Sequence, residues 1–503
     1  MNPGTLLIRA DASAATGTGH VMRCLALAQG WRQAGGDVVF AMAEATLALE
    51  QRLAEEHCRI SRVSAAPGSR DDWKATRTLM VAESPSWFVL DGYRFDSAYR
   101  EAVRGAGPKC LVVDDIGGQD CFASDLVLNQ NVHAAADLYS QRAPHTRLLL
   151  GPRYATLRRE FAAYCDYVRE IPEKGKRILV TMGGSDPTDF TPRILPHLGE
   201  RLGNDVQIRV VVGGDASHAS AVEAQASAFR GRVQVLRDVR NMAELMAWAD
   251  LAIAAAGTTC WEMCCLGLPA IVVEAADNQR PLARKLDAMG VAVNAGPAQL
   301  VDCAGLAERV REMVEDQERR SQMSHGARRL VDGRGTGRVL TFMNSALRIR
   351  LAEARDYRML WEWANDPVVR AASFSEEPIP WESHQQWFEQ QLASAAARIY
   401  IVENKAAEPV GQVRYQIEAR RAKLSINLAP KLRGQGFGSK VLLLGIEELF
   451  NTAPVETIDA YVKPANERSL ELFRSAGFEE NSGSEVRGQP AVWFVLKRWG
   501  SGA

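Results

Sequence analysis

Leu6-Leu7-Ile8-Arg9-Ala10-Asp11, followed by Thr16-Gly17-Thr18-Gly19-His20-Val21-Met22-Arg23-Cys24-Leu25, reads as a short apolar run, a glycine-rich turn and the start of an amphipathic stretch that continues to Ala34. A strand that turns through glycines into a helix is the first half of a βαβ unit. Outward from this stretch the rhythm repeats. Apolar runs at 37–42, 87–90, 111–114 and 126–129 are each separated by room for a helix, which predicts an open parallel sheet covered on both faces. The segment from Arg158 to Lys176 is charged and interrupted by proline, and a fresh series of strands then starts, at 178–182, 207–212, 233–236, 251–255 and 270–273. Two doubly wound α/β domains, 1–157 and 158–345, are therefore expected in tandem, with a cleft where the carboxyl ends of their strands meet. Val331-Asp332-Gly333-Arg334-Gly335-Thr336-Gly337-Arg338 should be a linker or a turn before a last helix. Beyond Leu347 the texture changes: helices around Trp361 and Trp363 and around Trp387, with strands at 399–403, 410–418 and 423–428, predict a smaller mixed α/β domain over 346–503.

Length and composition agree with this division. The 503 residues allow about three domains at roughly 150 residues each, and 47 % hydrophobic with 24 % charged residues are ordinary globular values. Sixty basic residues oppose sixty-one acidic ones, and the stretch after residue 345 is balanced at twenty of each. No patch points to nucleic acid or to an anionic membrane. Nine cysteines, an odd number with none beyond Cys303, read as thiols of a reducing compartment rather than a disulfide framework. Cys260, Cys264 and Cys265 lack the His or carboxylate spacing of a zinc site and read as core of a helix. The amino terminus has no signal-peptide pattern, and the most apolar region, Leu251 to Ala276, is broken by Gly257, Glu262, Gly267 and Pro269. A cytoplasmic protein that binds no metal is the expectation.

Four loops at predicted strand ends carry chemistry. Gly17 and Gly19 let backbone approach a ligand at a helix N-terminus, and His20 beside them can take a proton from water near neutral pH. Gly183-Gly184-Ser185 and Gly257-Thr258-Thr259 close strands of the second domain and offer backbone N–H groups to a pyrophosphate. Asp277-Asn278-Gln279 follows the next strand with polar groups suited to a ribose or a sugar.

These residues carry a resemblance. Arg9-Ala10-Asp11 through Leu25, Leu150-Gly151-Pro152-Arg153-Tyr154-Ala155-Thr156-Leu157-Arg158, Gly183-Gly184-Ser185-Asp186-Pro187, Thr259-Cys260-Trp261-Glu262 and Asp277-Asn278-Gln279 together resemble the UDP-sugar hydrolases of pseudaminic acid biosynthesis, over about residues 5 to 340. That family is similar to GT-B glycosyltransferases, so the resemblance implies two Rossmann-like domains and metal-free cleavage of UDP from 2,4-diacetamido-2,4,6-trideoxy-β-L-altropyranose. It implies His20 as the catalytic His, Tyr93 and Asn278 as active-site partners, and UDP-sugar contacts at Gly17, Gly19, Arg23, Gly183, Gly184, Ser185, Gly257, Thr258, Thr259, Glu262 and Gln279. Many members read Asp-His-Tyr where this chain reads Asp91-Gly92-Tyr93, so no role attaches to the middle position.

In the last domain, a strand pattern ending Leu428-Ala429-Pro430 runs into Arg433-Gly434-Gln435-Gly436-Phe437-Gly438-Ser439 and an apolar helix, and Asn466 opens the run Asn-Glu-Arg-Ser-Leu-Glu-Leu-Phe-Arg-Ser-Ala-Gly-Phe. Successive N–H groups of such a loop can cradle a pyrophosphate. The pair resembles the GNAT acetyltransferase superfamily over about residues 347 to 498. The resemblance implies acetyl-CoA as acetyl donor, held by Leu428, Ala429, Arg433, Gly434, Gln435, Gly436, Phe437, Gly438 and Ser439, with Asn466 near the pantetheine arm. The Tyr that many members place four residues before the final Gly-Phe is Phe473 here, leaving Tyr461 as a substitute. Acetylation of a UDP-linked 4-amino sugar followed by loss of UDP makes the fusion chemically coherent. Two alternatives stay open: an inverting GT-B glycosyltransferase with an acetyltransferase domain, and a hydrolase with an acyl-CoA-binding domain that only regulates.

Overall fold

The computed structural model describes residues 2–13, 17–118, 122–184, 186–213, 218–229, 231–344 and 347–499. The chain divides into two units, Met1–Leu340 and Thr341–Ala503. In the first unit, β1 (Thr5–Ala10), β2 (Asp37–Met42), β3 (Arg59–Arg62), β4 (Trp87–Asp91), β5 (Lys109–Val113), β6 (Leu126–Asn129) and β7 (Arg147–Leu150) form one parallel sheet in the order β3-β2-β1-β4-β5-β6-β7. Leu6, Leu7 and Ile8 lie between Val38 to Phe40 on one side and Trp87 to Val89 on the other, all three with no exposed surface. Burial of such side chains contributes about 1.5–3 kcal/mol each. A second parallel sheet holds β8 (Arg177–Thr181), β9 (Gln207–Val212), β10 (Val233–Arg237), β11 (Leu251–Ala255), β12 (Ala270–Glu274) and β13 (Val293–Pro297) in the order β10-β9-β8-β11-β12-β13. Both sheets have their first strand at the centre, where the strand order reverses and ligands gather at the carboxyl ends.

Strands β3, β7 and β13 go beyond the sequence reading. Arg-Ile-Ser-Arg at β3 is an edge strand with charged ends, and Val-Asn-Ala-Gly-Pro at β13 has a shifted register, so neither presents the apolar run that betrays a buried strand.

The stretch 331–338, expected as a linker or turn, is half helical and firmly packed. Helix Gly335–Asn344 begins inside it. Thr336 Oγ1 donates to Leu157 O and accepts from Leu157 N, each at 2.9 Å, and buried Arg338 donates to Arg153 O at 2.8 Å. A Cβ on Gly335 would stand 2.3 Å from Ala155 O, so only glycine lets this helix start against the first sheet's domain. The tail of the residue range assigned to the second domain thus returns to the first.

The second unit holds β14 (Arg348–Leu351), β15 (Ala397–Glu403), β16 (Pro409–Glu418), β17 (Arg421–Leu428), β18 (Thr457–Val462), β19 (Glu479–Val486) and β20 (Gln489–Lys497), in the order β14-β15-β16-β17-β18-β20-β19. Only β17 and β18 run parallel, and they pair over just Arg421 to Lys423 before they part. Helix Phe437–Thr452 lies against β16 so closely that a Cβ on Gly445 would meet Val413 at 2.8 Å. Among the described residues no helix is long and apolar enough to cross a membrane.

Candidate functional site

The first helix, Gly19–Gln33, starts directly after the glycine turn and carries His20 in its first turn, where backbone N–H groups lack intrahelical partners. The edge of the His20 ring meets Tyr93 at 4.8 Å between centroids and 78° between planes. Tyr93 follows β4 through Gly92, whose φ of +151° and a would-be Cβ 2.9 Å from Phe95 explain glycine at this position. The Tyr93 hydroxyl donates to Asp115 Oδ2 at 2.9 Å and accepts from Asn278 Nδ2 at 3.1 Å. Asn278 belongs to the short turn Asp277–Gln279 after β12, so the two sheets contribute to one constellation. Burial, then the Asp115 charge, push the phenol up and keep it a donor.

Beneath this trio lies a charge network that the sequence reading did not foresee. Arg23, expected to touch substrate, is buried and engaged elsewhere: Nε and Nη2 donate to the two oxygens of Asp91 at 2.7 Å each, and Nη1 to Asp115 Oδ1 at 2.8 Å. Asn131 Nδ2 adds a bond to Asp115 Oδ1 at 2.7 Å. Asp91 Oδ1 stands 3.9 Å from His20 Nδ1. Burial opposes ionisation of Asp115, yet the Arg23 charge and hydrogen bond outweigh it and hold the carboxyl well below the usual carboxylate range. The available signal was an acid at the carboxyl end of each of two neighbouring parallel strands, Asp91 on β4 and Asp114-Asp115 after β5.

Because the folded value is lowered, Asp115 contributes stability that is complete above about pH 4, the unfolded carboxyl's range, and is lost as pH falls toward the folded value. Asp115→Asn should therefore cost about 3 kcal/mol near neutrality, the scale of a broken buried pair. Denaturation of both proteins at pH 7 and pH 3 checks this: the gap should shrink at pH 3, and an equal gap at both would place its origin elsewhere.

The remaining glycine loops converge on the same mouth. Gly17 and Gly183 have φ of +69° and +82°, with open space where a Cβ would be. A Cβ on Gly184 would meet Thr18 Oγ1 at 3.0 Å, and one on Gly19 would meet Thr258 Oγ1 at 3.4 Å, so both second-sheet loops face the His20 turn. Gly213, absent from the sequence reading, lets the Gly184 carbonyl approach where a Cβ would be 1.9 Å away. Asp186 accepts from Phe190 N at 3.0 Å and Thr191 N at 2.8 Å, which anchors its loop to the following helix. Ser185 lies outside the described residues. Thr259 begins helix Thr259–Cys265, and Gln279 folds back to accept from Ala275 N at 2.9 Å, its amide 3.6 Å from where a Gly257 Cβ would be. Glu262, in the first turn of that helix, pairs with Arg158 at 2.9 Å, and burial raises its carboxyl against that pairing.

In the second unit the glycine loop sits between the end of β17 and helix Phe437–Thr452. Gly434 and Gly436 take φ of +77° and +76° and face open space. Ser439 is exposed in the first turn of that helix, and a Cβ on Gly438 would have Leu472 and Leu428 at van der Waals distance. Arg433 anchors the loop: Nη1 donates to Asp366 Oδ1 at 2.6 Å and Nε to Leu428 O at 3.3 Å, while Nη2 is buried with no hydrogen-bond partner among the described residues. Gln435 donates to Lys431 O at 2.7 Å. The Ala429 N–H is bonded to Val410 O at 2.9 Å, and Asn466 caps helix Glu467–Ser475 by accepting from Ser469 N at 3.2 Å. Phe473 is 4 % exposed, packed on Phe478 and Phe494, so its position belongs to the core. Tyr461 stacks on Trp493, with the ring centroids 6.4 Å apart.

Two parallel-sheet domains whose strand ends share one mouth, joined to a sheet with a parted strand pair above a glycine loop, define a two-unit α/β protein with nucleotide-sugar and acyl-transfer features. The comparisons fit that class. Residues 177–333 match the glycosyltransferase family 28 C-terminal domain, and residues 346–479 match the acetyltransferase (GNAT) domain. The chain therefore carries a GNAT acetyltransferase domain fused to a glycosyltransferase-28-like domain. An uncharacterized protein of Methanocaldococcus jannaschii, MJ1062, is 22 % identical over 97 % of this chain and 99 % of its own length. The spore coat polysaccharide biosynthesis protein SpsG of Bacillus subtilis is 27 % identical over 47 % of this chain and 69 % of its own. A UDP-N-acetylglucosamine–N-acetylmuramyl-(pentapeptide) pyrophosphoryl-undecaprenol N-acetylglucosamine transferase of Methylococcus capsulatus is 34 % identical over 32 % of this chain and 46 % of its own.

Proposed function

We propose that the chain is a bifunctional nucleotide-sugar enzyme of pseudaminic acid biosynthesis. Its second unit N-acetylates the 4-amino group of a UDP-4-amino-4,6-dideoxy-N-acetyl-altrosamine. Its first unit then hydrolyses the product, UDP-2,4-diacetamido-2,4,6-trideoxy-β-L-altropyranose, with inversion. The observation that carries the hydrolytic half is the meeting of His20, Tyr93 and Asn278, drawn from two sheets onto one phenol. His20 removes a proton from water, whose oxygen bonds to the anomeric carbon as the C1–O bond to UDP breaks. Asp91 steadies the imidazolium that results. The departing diphosphate meets the glycine loops at Gly183 and Gly257 and the helix N-termini beside them, which stabilise the charge that develops.

Since UDP leaves as a stabilised dianion, this chemistry needs no metal, and adding EDTA should leave UDP release intact. Loss of release that Mg²⁺ restores would contradict it.

The parted strands and the open, positive-φ glycines at 434 and 436 suit acetyl-CoA, which supplies an activated acyl thioester when bound. The N–H groups of the loop would face its pyrophosphate, and Arg433 would hold the loop in shape. Mass spectrometry of products from the UDP-4-amino sugar with acetyl-CoA tests the whole reading: the free diacetamido sugar and UDP are expected, and an unaltered sugar overturns it. The relation to the N-acetylglucosamine transferase keeps glycosyl transfer as a second reading. Free sugar formed without any added acceptor would exclude it.

A further inference from the structure

On the second unit's sheet, Val413 faces helix Phe437–Thr452, so its neighbour Arg414 points from the opposite face. Across β16 and β17, Arg414 pairs with Ser425 and Gln416 with Lys423, which makes Arg414 and Lys423 diagonal neighbours about 7–8 Å apart on that face. Lys423 in turn lies opposite Asp459 on β18, at the last pair before the two strands part. The opening between the strands therefore begins at the edge of this patch.

The charges of the patch are unbalanced. Asp459 is already satisfied by Arg421, at 3.1 and 2.6 Å, and by Trp493 Nε1 at 2.8 Å. Half-buried Arg414 has Ser425 Oγ at 3.3 Å and the Trp387 ring at 4.9 Å, and no carboxylate among the described residues. Exposed Lys423 rests on the Tyr461 ring at 4.8 Å, again with no carboxylate. Arg350 and Arg433 of this unit are carboxylate-paired by contrast: Arg350 binds Asp356 and Glu403, and Arg433 binds Asp366. Desolvating a guanidinium without an anion is costly, and burial pulls that of Arg414 down from its ordinary value. Two cations with apolar rings beside them suit a ligand that has an anionic part and a ring-shaped part.

We propose that Arg414 and Lys423 read the diphosphate of the acetyl acceptor, so that the transferase selects a nucleotide-linked amino sugar over polycationic amines. The inference rests on the acetyltransferase half of the function proposed above. The diphosphate would lie over the two cations, the sugar against Tyr461 and Trp493, and the amine at the opening of β17 and β18.

The test uses the full chain and a neutral probe, a free 4-amino sugar, whose acetylation is followed with UDP or uridine as inhibitor. UDP should compete with the amine but not with acetyl-CoA, and uridine should have little effect. Lys423→Gln and Arg414→Gln should each raise the inhibition constant of UDP about tenfold or more, the scale of one charge-assisted bond, with kcat for the free amine within about twofold. Spermidine should be a poor acceptor for the wild type. UDP competing with acetyl-CoA, an unchanged inhibition constant in both variants, or an equal loss of free-amine turnover would each overturn the proposal. Acetylation indifferent to UDP overturns the proposal alone, whereas failure to acetylate any amine overturns the acetyltransferase reading with it.

Discussion

His20→Ala lowers UDP release from the acetylated UDP-sugar by about 10²- to 10⁴-fold, the usual cost of losing a positioned base, while acetyl transfer continues. His20 sits at 13 % side-chain exposure on the first turn of its helix, so truncation removes the edge contact with Tyr93 without opening the buried sheet. His20→Asn keeps polarity and size but cannot accept a proton from water at neutral pH, and should fall by a similar factor. The Arg23, Asp91 and Asp115 network does not use the imidazole as a hydrogen-bond partner, so both variants should unfold near the wild-type midpoint. Single-turnover release of UDP is the measurement. Near-normal release from a folded variant would make His20 a packing residue.

Gly436→Glu abolishes acetyl-CoA binding, with affinity down by roughly 100-fold or more, since a misplaced like charge costs several kcal/mol. Its φ of +76° strains any side chain by about 1–2 kcal/mol, and the added carboxylate would enter the open space over the loop where a pyrophosphate is to lie. Calorimetric titration with acetyl-CoA reads the first effect. UDP release from the already acetylated sugar should survive in the same variant. From the 4-amino sugar it should become scarce if the first unit recognises the 4-acetamido group. Loss of release from the acetylated substrate in a folded protein would mean that the two activities are coupled.

The amino-acid sequence by itself determined the α/β class and the central strands of all three sheets. Runs such as 6–8, 87–90 and 251–255 are apolar on both faces, and their shortness and spacing between helical stretches suit covered parallel strands. It also located His20, Gly184, Gly257 and Gly436 at strand ends and helix starts, because a strand followed by glycine and a helix start is local information. Edge strands such as β3 and β13 were not legible, since partners on one side only leave no apolar run. Tertiary structure alone decided who meets whom. Asn278 reaches Tyr93 across 185 positions of chain, and Asp91 and Asp115, 68 and 92 residues from Arg23, surround its guanidinium. Gly335, read in sequence as part of a linker or a turn before a last helix, is a packed helix start, because Ala155 lies where its side chain would be. The physical reason is common to all three. Propensity and periodicity act within a few residues of the chain, whereas a buried charge or a close backbone approach depends on partners that only the folded chain brings together.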